Sequence, residues 1–134
     1  MPPARAGQDH PILPILQLSL APTVTAPARA RAAVTAWLGK QSRDDVLVEL
    51  AVLLVSELVT NSVLHGGPPV VVAVDCDEAT LQVRVRDGSP MLPAPRDAAS
   101  GDENGRGLAL VAEMSADWGV DTEEDGKHVW FVIH

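Results

Sequence analysis

The spacing of apolar residues changes along the chain, and each change predicts a new element. Residues 15–20 place a Leu at every second position, which is the period of a half-buried strand. Apolar residues then recur at helical spacing from Thr25, a residue type that caps helices, to Gly39, which is expected to end this helix. A second, longer helix is predicted to begin at Ser42 or Asp44.

The second half of the chain predicts shorter elements separated by turns. The Gly and Pro residues at 66–69 end the long helix, because Pro lacks the backbone N–H group that a helix needs. The remaining apolar segments predict strands at 70–75 and 81–86, a helix at 107–114, and strands at 117–122 and 128–133. Acidic turns join the two strands of each pair.

This order of elements predicts the fold class α+β, with helices packed on one face of a single mixed sheet of about five strands. Two hairpins without a crossover helix exclude a simple doubly wound sheet. With 134 residues, the chain has room for one domain with a core of its own. We assign that domain to residues 15–134 and interpret the proline-rich residues 1–14 as a flexible leader.

Charge and composition exclude several classes of partner. The net charge of -8 argues against binding to a phosphate backbone, since the chain has only two lysines, Lys40 and Lys127. Cys76 is the single cysteine and cannot close an intramolecular disulfide, which fits a reducing cytoplasm. Residues 46–64 are apolar, but two glutamates interrupt them, so we interpret them as a buried helix of a soluble protein.

Three polar residues stand four positions apart within the predicted long helix: Glu57, Asn61 and His65. At about 3.6 residues per turn, this spacing places them along one stripe. A carboxylate among apolar neighbours stays ionised only with a partner such as a metal, a cation or water. The stripe therefore indicates a candidate site built on Glu57 and Asn61, and we interpret His65 as a structural residue that ends the helix.

Two glycines, Gly105 and Gly107, precede or open the predicted third helix. Unpaired backbone N–H groups at a helix start can bind a phosphate, and glycine lets the anion approach closely. Alternatively, the glycines only allow the loop to turn into the helix. A dinucleotide fingerprint is not supported, because its third small residue falls at Leu110, and the Walker pattern lacks its Lys-Ser or Lys-Thr pair.

Asp87 ends an apolar strand and is followed by Gly88. Its carboxylate could accept a hydrogen bond from the exocyclic amine of a base. An ordinary Asp-Gly turn explains the same two residues. Taken alone, neither the glycines nor Asp87 decides between a functional and a structural role.

Together the segments ELVTNSVLHG, VRDGSP and GRGLALV, in this order, resemble the N, G1 and G2 boxes of the superfamily of gyrase, heat-shock chaperone ATPases, histidine kinases and mismatch-repair ATPases. Within it the chain is most similar to the small anti-sigma factor and serine-protein kinase family. The resemblance covers roughly residues 15–134. It implies a two-layer α/β sandwich of the Bergerat type with a mostly antiparallel sheet, and it implies ATP and Mg²⁺ as cofactors.

The resemblance also implies a role for each matching residue. Asn61 would bind Mg²⁺, and Glu57 would be the general base. Asp87 would hold the adenine amine, with Gly88 letting the base approach. Backbone donors to the phosphates would come from Gly105, Arg106, Gly107 and Leu108, and residues 89–104 would form a lid. Arg96 and Lys127 are minor candidates for phosphate contacts.

The chain departs from the family pattern at Pro90, where a second glycine is usual, and at His128, where several relatives carry a small hydroxyl residue.

The function implied is that of an ATP-binding regulatory protein, an anti-sigma factor with protein serine/threonine kinase activity on an antagonist protein, switching partners in transcription control. Two alternatives stay open: a nucleotide-gated protein-binding module without turnover, and a scaffold that needs no nucleotide. The expected partners are proteins, a sigma factor or its antagonist, with neither nucleic acid nor membrane. A homodimer formed through Trp37 or residues 12–20 also stays open.

Overall fold

The computed structural model describes residues 15–41, 44–77, 80–89 and 106–134. The predicted leader at 1–14 and most of the predicted lid lie outside these ranges. The strands are β1 (Ile15–Leu20), β2 (Val70–Cys76), β3 (Leu81–Asp87), β4 (Asp117–Glu123) and β5 (Gly126–Ile133), and the helices are α1 (Ala26–Lys40), α2 (Asp45–His65) and α3 (Arg106–Met114).

The five strands form one sheet in the order β1-β2-β3-β5-β4, and all four neighbouring pairs are antiparallel. The α+β class predicted from the element order is therefore confirmed. The central strands are buried on the side that the helices cover, where Val72, Val85 and Val129 stand opposite one another. Residues on the other side, such as Ala73 and Arg84, are only half-buried. One layer of helices thus covers one face of the sheet.

The long helix α2 supplies the centre of the helix layer. Its buried residues are Ala51, Leu54, Val55, Ser56, Leu58, Val59 and Ser62. By length and hydropathy α2 is also the one helix in the described ranges that could cross a membrane. Here its buried side packs against α1 and the sheet, as expected for a core helix.

The two predicted helix starts differ in how they are capped. The Asp44 carboxylate accepts a hydrogen bond from the Val46 N–H at 2.7 Å, so Asp44, one of the two predicted starts, caps α2. Thr25 precedes α1, but its side chain makes no capping hydrogen bond. Gly39 was predicted to end α1, which is wrong: the helix continues to Lys40, because a single glycine costs a helix only about 1 kcal/mol.

Candidate functional site

The start of α3 lies directly over the polar stripe of α2. A Cβ atom added to Gly107 would lie 2.7 Å from Asn61 Nδ2 and 3.4 Å from the Cβ of Glu57. Any side chain at position 107 would therefore displace the Asn61 amide. The structure brings together three residues that the sequence predicted for one site, and the close approach of the two helices explains why position 107 is a glycine.

Glu57 and Asn61 are half-buried, and no residue in the described part of the chain forms a hydrogen bond or ion pair with either side chain. A half-buried carboxylate and amide without a partner among the described residues are available to a ligand. His65 is exposed at the last position of α2, and its structural role stays a prediction. The chemistry of the stripe is thus confined to Glu57 and Asn61.

The first turn of α3 adds a second kind of polar group. The first N–H groups of a helix have no carbonyl partner within the helix, and the positive end of the helix dipole lies there. In α3 these groups belong to Arg106, Gly107 and Leu108, and the Leu108 side chain is buried in the core. Gly105, Arg96 and residues 90–104, which were also assigned to the phosphates and the lid, lie outside the described residues.

The residues present fit a magnesium ion that is held mainly by water and by the phosphate oxygens of a bound nucleotide. Mg²⁺ binds few protein oxygens and keeps water and phosphate oxygens for its other positions. The described residues contain no cluster of three His, Cys, Asp or Glu that could hold a metal by itself. Asn61 has no hydrogen-bonding partner in the described ranges, its side chain lies next to the start of α3, and its amide oxygen is the kind of ligand that such a shared ion accepts.

Asp87 lies at the end of β3, where it is almost fully buried and fully hydrogen-bonded. Its Oδ2 accepts hydrogen bonds from the Ser62 hydroxyl at 3.0 Å and from Lys127 Nζ at 3.1 Å. Its Oδ1 accepts from Lys127 Nζ at 2.9 Å and from the Ser89 backbone N–H at 3.0 Å. The four contacts use all the acceptor positions of a carboxylate, which has about four.

Three positions near Asp87 are glycines because neighbouring atoms approach them too closely for a side chain. A Cβ on Gly66 would lie 2.5 Å from Asp87 Cγ, and one on Gly126 would lie 2.4 Å from the Asp87 carbonyl oxygen. A Cβ on Gly88 would lie 2.2 Å from the Pro68 carbonyl oxygen. Gly88 thus lets the end of β3 pack against the turn after α2. Its predicted role in admitting a base stays a prediction.

Two members of this cluster were not assigned to it from the sequence. Lys127 was considered only as a phosphate contact, but the register of β3 and β5 places it opposite Asp87. Ser62 follows Asn61 directly and points to the other side of α2, where it donates to Asp87. Helix α2 therefore links the two halves of the site, with Asn61 facing α3 and Ser62 facing β3.

Comparisons with known proteins identify a similar fold and a matching family model. The fold is similar to the crystal structure of the RsbU and RsbW domains of Rv1364c from Mycobacterium tuberculosis, with a TM-score of 0.72 and 22% sequence identity. The match covers 90% of this chain and 32% of that one, so this chain spans about a third of its length. A comparison with curated proteins finds no match. A family model described as the histidine kinase-like ATPase domain matches residues 20–133. The chain therefore belongs to the histidine kinase-like ATPase domain family, within the superfamily that its three sequence boxes indicate.

Proposed function

We propose that this protein binds ATP with Mg²⁺ in the groove between α2 and α3 and transfers the γ-phosphoryl group to a serine or threonine of a partner protein. The observation that carries the proposal is the position of Gly107 over Asn61 and Glu57, whose side chains have no partner in the described ranges. Membership of an ATPase domain family supports the choice of ATP. A site for a polyanion on a protein of net charge -8 depends on such local donors.

The binding roles follow from the positions of the groups. The N–H groups at the start of α3 donate to phosphate oxygens, and Gly107 admits them without a side chain in between. Asn61 would hold the magnesium ion through its amide oxygen, and the ion would supply positive charge that offsets the charge of the phosphates. Asp87, which Ser62 of α2 contacts, accepts a hydrogen bond from the exocyclic amine of adenine. Each of these contacts orients the nucleotide.

Glu57 is the proposed general base. It lies one turn before Asn61 on the same side of α2, beside the position where the phosphates would lie. As the partner's hydroxyl oxygen forms a bond to the γ-phosphorus, the bond from that phosphorus to the bridging oxygen breaks, and ADP leaves. The Glu57 carboxylate takes the hydroxyl proton. A positioned base of this kind contributes roughly 10²–10⁴-fold to the rate.

The regulatory part of the proposal is that the protein acts in the cytoplasm as an anti-sigma factor. In this role it binds a sigma factor in one state and an antagonist protein, its phosphorylation substrate, in the other. It is supported by the resemblance of the three boxes to the small anti-sigma factor family and by the fold similarity to the structure of the RsbU and RsbW domains of Rv1364c. The single, buried Cys76 is compatible with a reducing compartment.

The second candidate function is a nucleotide-gated binding module without turnover. One observation favours it: no described residue donates a hydrogen bond to Glu57, whereas a catalytic base is commonly oriented by a third group. In this version ATP binds in the same groove and changes the partner-binding surface only.

Phosphate transfer distinguishes the two functions. The protein is incubated with radiolabelled ATP, Mg²⁺ and a candidate antagonist protein encoded beside it. The kinase proposal expects labelled antagonist, and Glu57→Ala should slow the transfer about 10²–10⁴-fold with ATP affinity retained. Glu49→Ala, which removes an exposed glutamate from the same helix, is the matched control and should transfer at the parent rate. Transfer by Glu57→Ala at the parent rate would remove the proposed base, and ATP binding without any transfer would favour the module.

A further inference from the structure

Lys127 is a buried cation to which the proposed function gives no role. Only 6% of the residue is exposed, and its Nζ contacts both oxygens of Asp87. The third contact of the ammonium is the backbone carbonyl of Ser89 at 3.2 Å. A lysine has three N–H donors, so all of them are used within the described structure.

This arrangement restricts how a base can reach Asp87. Because the carboxylate already accepts four hydrogen bonds, an incoming amine must replace one of the present donors. The Ser89 donor is a backbone N–H group, and the Ser62 hydroxyl belongs to the core helix. Lys127 alone contacts both oxygens, so it can give up one contact and keep the ion pair. Because the lysine side chain is flexible, Nζ can move from one contact to another by rotation of the side chain alone.

We propose that Lys127 is a second base-reading residue, which donates a hydrogen bond to the ring nitrogen next to the amine that Asp87 accepts. This inference rests on the proposed binding of ATP and deepens it. The amine donates to one Asp87 oxygen in place of Lys127, and the released lysine N–H donates to the ring nitrogen. The exchange conserves the number of hydrogen bonds and leaves the buried charges paired, so no polar group becomes unsatisfied.

Asp87 supplies a hydrogen-bond acceptor and Lys127, beside it, supplies a donor. This order selects adenine over other purines. Adenine presents an amine beside an unprotonated ring nitrogen, which complements a carboxylate beside an ammonium. Hypoxanthine presents a carbonyl beside a protonated ring nitrogen, which is the reverse order. Recognition of adenine thus uses two atoms, and each can be removed separately by a nucleotide analogue.

Calorimetric titration of the full chain with Mg²⁺ and three nucleotides tests the inference: ATP, purine riboside triphosphate, which lacks the amine, and 1-deaza-ATP, which has a C–H group in place of the ring nitrogen. A hydrogen bond to a charged group corresponds to roughly 10- to 100-fold in affinity. We expect both analogues to bind that much more weakly than ATP. Equal affinity for 1-deaza-ATP and ATP overturns the inference and leaves the proposed function intact, whereas no binding of ATP overturns both.

Two variants assign the effect to Lys127. In Lys127→Met the discrimination between ATP and 1-deaza-ATP should fall to within about twofold. This variant leaves a buried carboxylate unpaired. If it does not fold, a crystal structure of the parent protein with ATP makes the assignment: Lys127 Nζ should lie within hydrogen-bond distance of the ring nitrogen, and a longer separation would overturn the inference. Arg84→Met removes a cation from the opposite face of the sheet and should keep the full discrimination. Discrimination retained without Lys127 would mean that another group contacts the ring nitrogen, which overturns the inference.

Discussion

Gly107 and Asn61 are in such close contact that a single methyl group on the glycine would lie 2.7 Å from the asparagine Nδ2. The affected atom is the end of a side chain that can rotate. Gly107→Ala should therefore move the Asn61 amide without unfolding the domain, and Mg²⁺·ATP affinity should fall about tenfold or more, as for other changes that misorient a metal ligand. Calorimetric titration measures the effect.

The matched control for this change is Gly39→Ala in α1, where an added Cβ meets no atom within 4 Å. Both substitutions replace glycine by alanine in a helix and gain roughly 0.5–1 kcal/mol of helix propensity. Only Gly107→Ala should lose nucleotide affinity. If Gly107→Ala bound Mg²⁺·ATP with unchanged affinity, Asn61 would not be part of the nucleotide site.

The buried pair of Asp87 and Lys127 leads to a prediction about stability. Their side chains are only 4% and 7% exposed, so neither charge can turn to water when the other is removed. Lys127→Met should lower the free energy of unfolding by about 3–5 kcal/mol. Urea unfolding measures this, and Glu123→Gln, which breaks an ion pair with Arg86 whose side chains are 46% and 31% exposed, should cost at most about 1 kcal/mol. An equal loss of unfolding free energy in both variants would show that the buried pair of Asp87 and Lys127 contributes no more than an exposed pair.

Asp44 is expected to stabilise the start of the core helix through its hydrogen bond to the Val46 N–H. Asp44→Ala removes that acceptor and should cost about 0.5–2 kcal/mol in unfolding free energy. Asp44→Asn keeps a side-chain oxygen of nearly equal capping strength, so it should recover most of the loss. Two variants of equal stability would mean that the cap contributes little.

Nucleotide and metal together should raise the melting temperature. ATP at about 100 times its dissociation constant stabilises a folded protein by roughly 2.7 kcal/mol. We expect this increase with Mg²⁺ and a clear reduction after chelation of the metal or in Asn61→Ala, because Asn61 is the proposed protein ligand. Absence of any increase with ATP and Mg²⁺ would favour the scaffold that needs no nucleotide.

The elements of this fold were predictable because each follows from local periodicity and turn residues. The strand at Ile15–Leu20 matches its predicted bounds, and the long helix begins at Asp45, directly after Asp44, which is one of its two predicted starts. Gly107 and Asn61, which the three boxes predict for one site, lie close together. The pairing of Asp87 with Lys127 was not predictable in the same way. It depends on β5 lying next to β3 in a particular register, and no local pattern determines a contact between strands distant in sequence.

The end of α1 illustrates a different limit. Gly39 carries the usual helix-stop signal, yet α1 extends to Lys40 and closes with a hydrogen bond from the Gln41 N–H to the Leu38 carbonyl. The difference between ending at a glycine and passing it is about 1 kcal/mol, which packing in the rest of the helix can exceed. Signals of this size locate a helix end only to within one or two residues.

The most direct test of the nucleotide site is a crystal structure of the protein with Mg²⁺ and a non-hydrolysable ATP analogue. We expect the phosphates within hydrogen-bond distance of the Gly107 backbone N–H, the metal on the Asn61 amide oxygen, and the adenine amine on Asp87. A nucleotide bound elsewhere, or a groove between α2 and α3 filled by the protein's own side chains, would contradict the account.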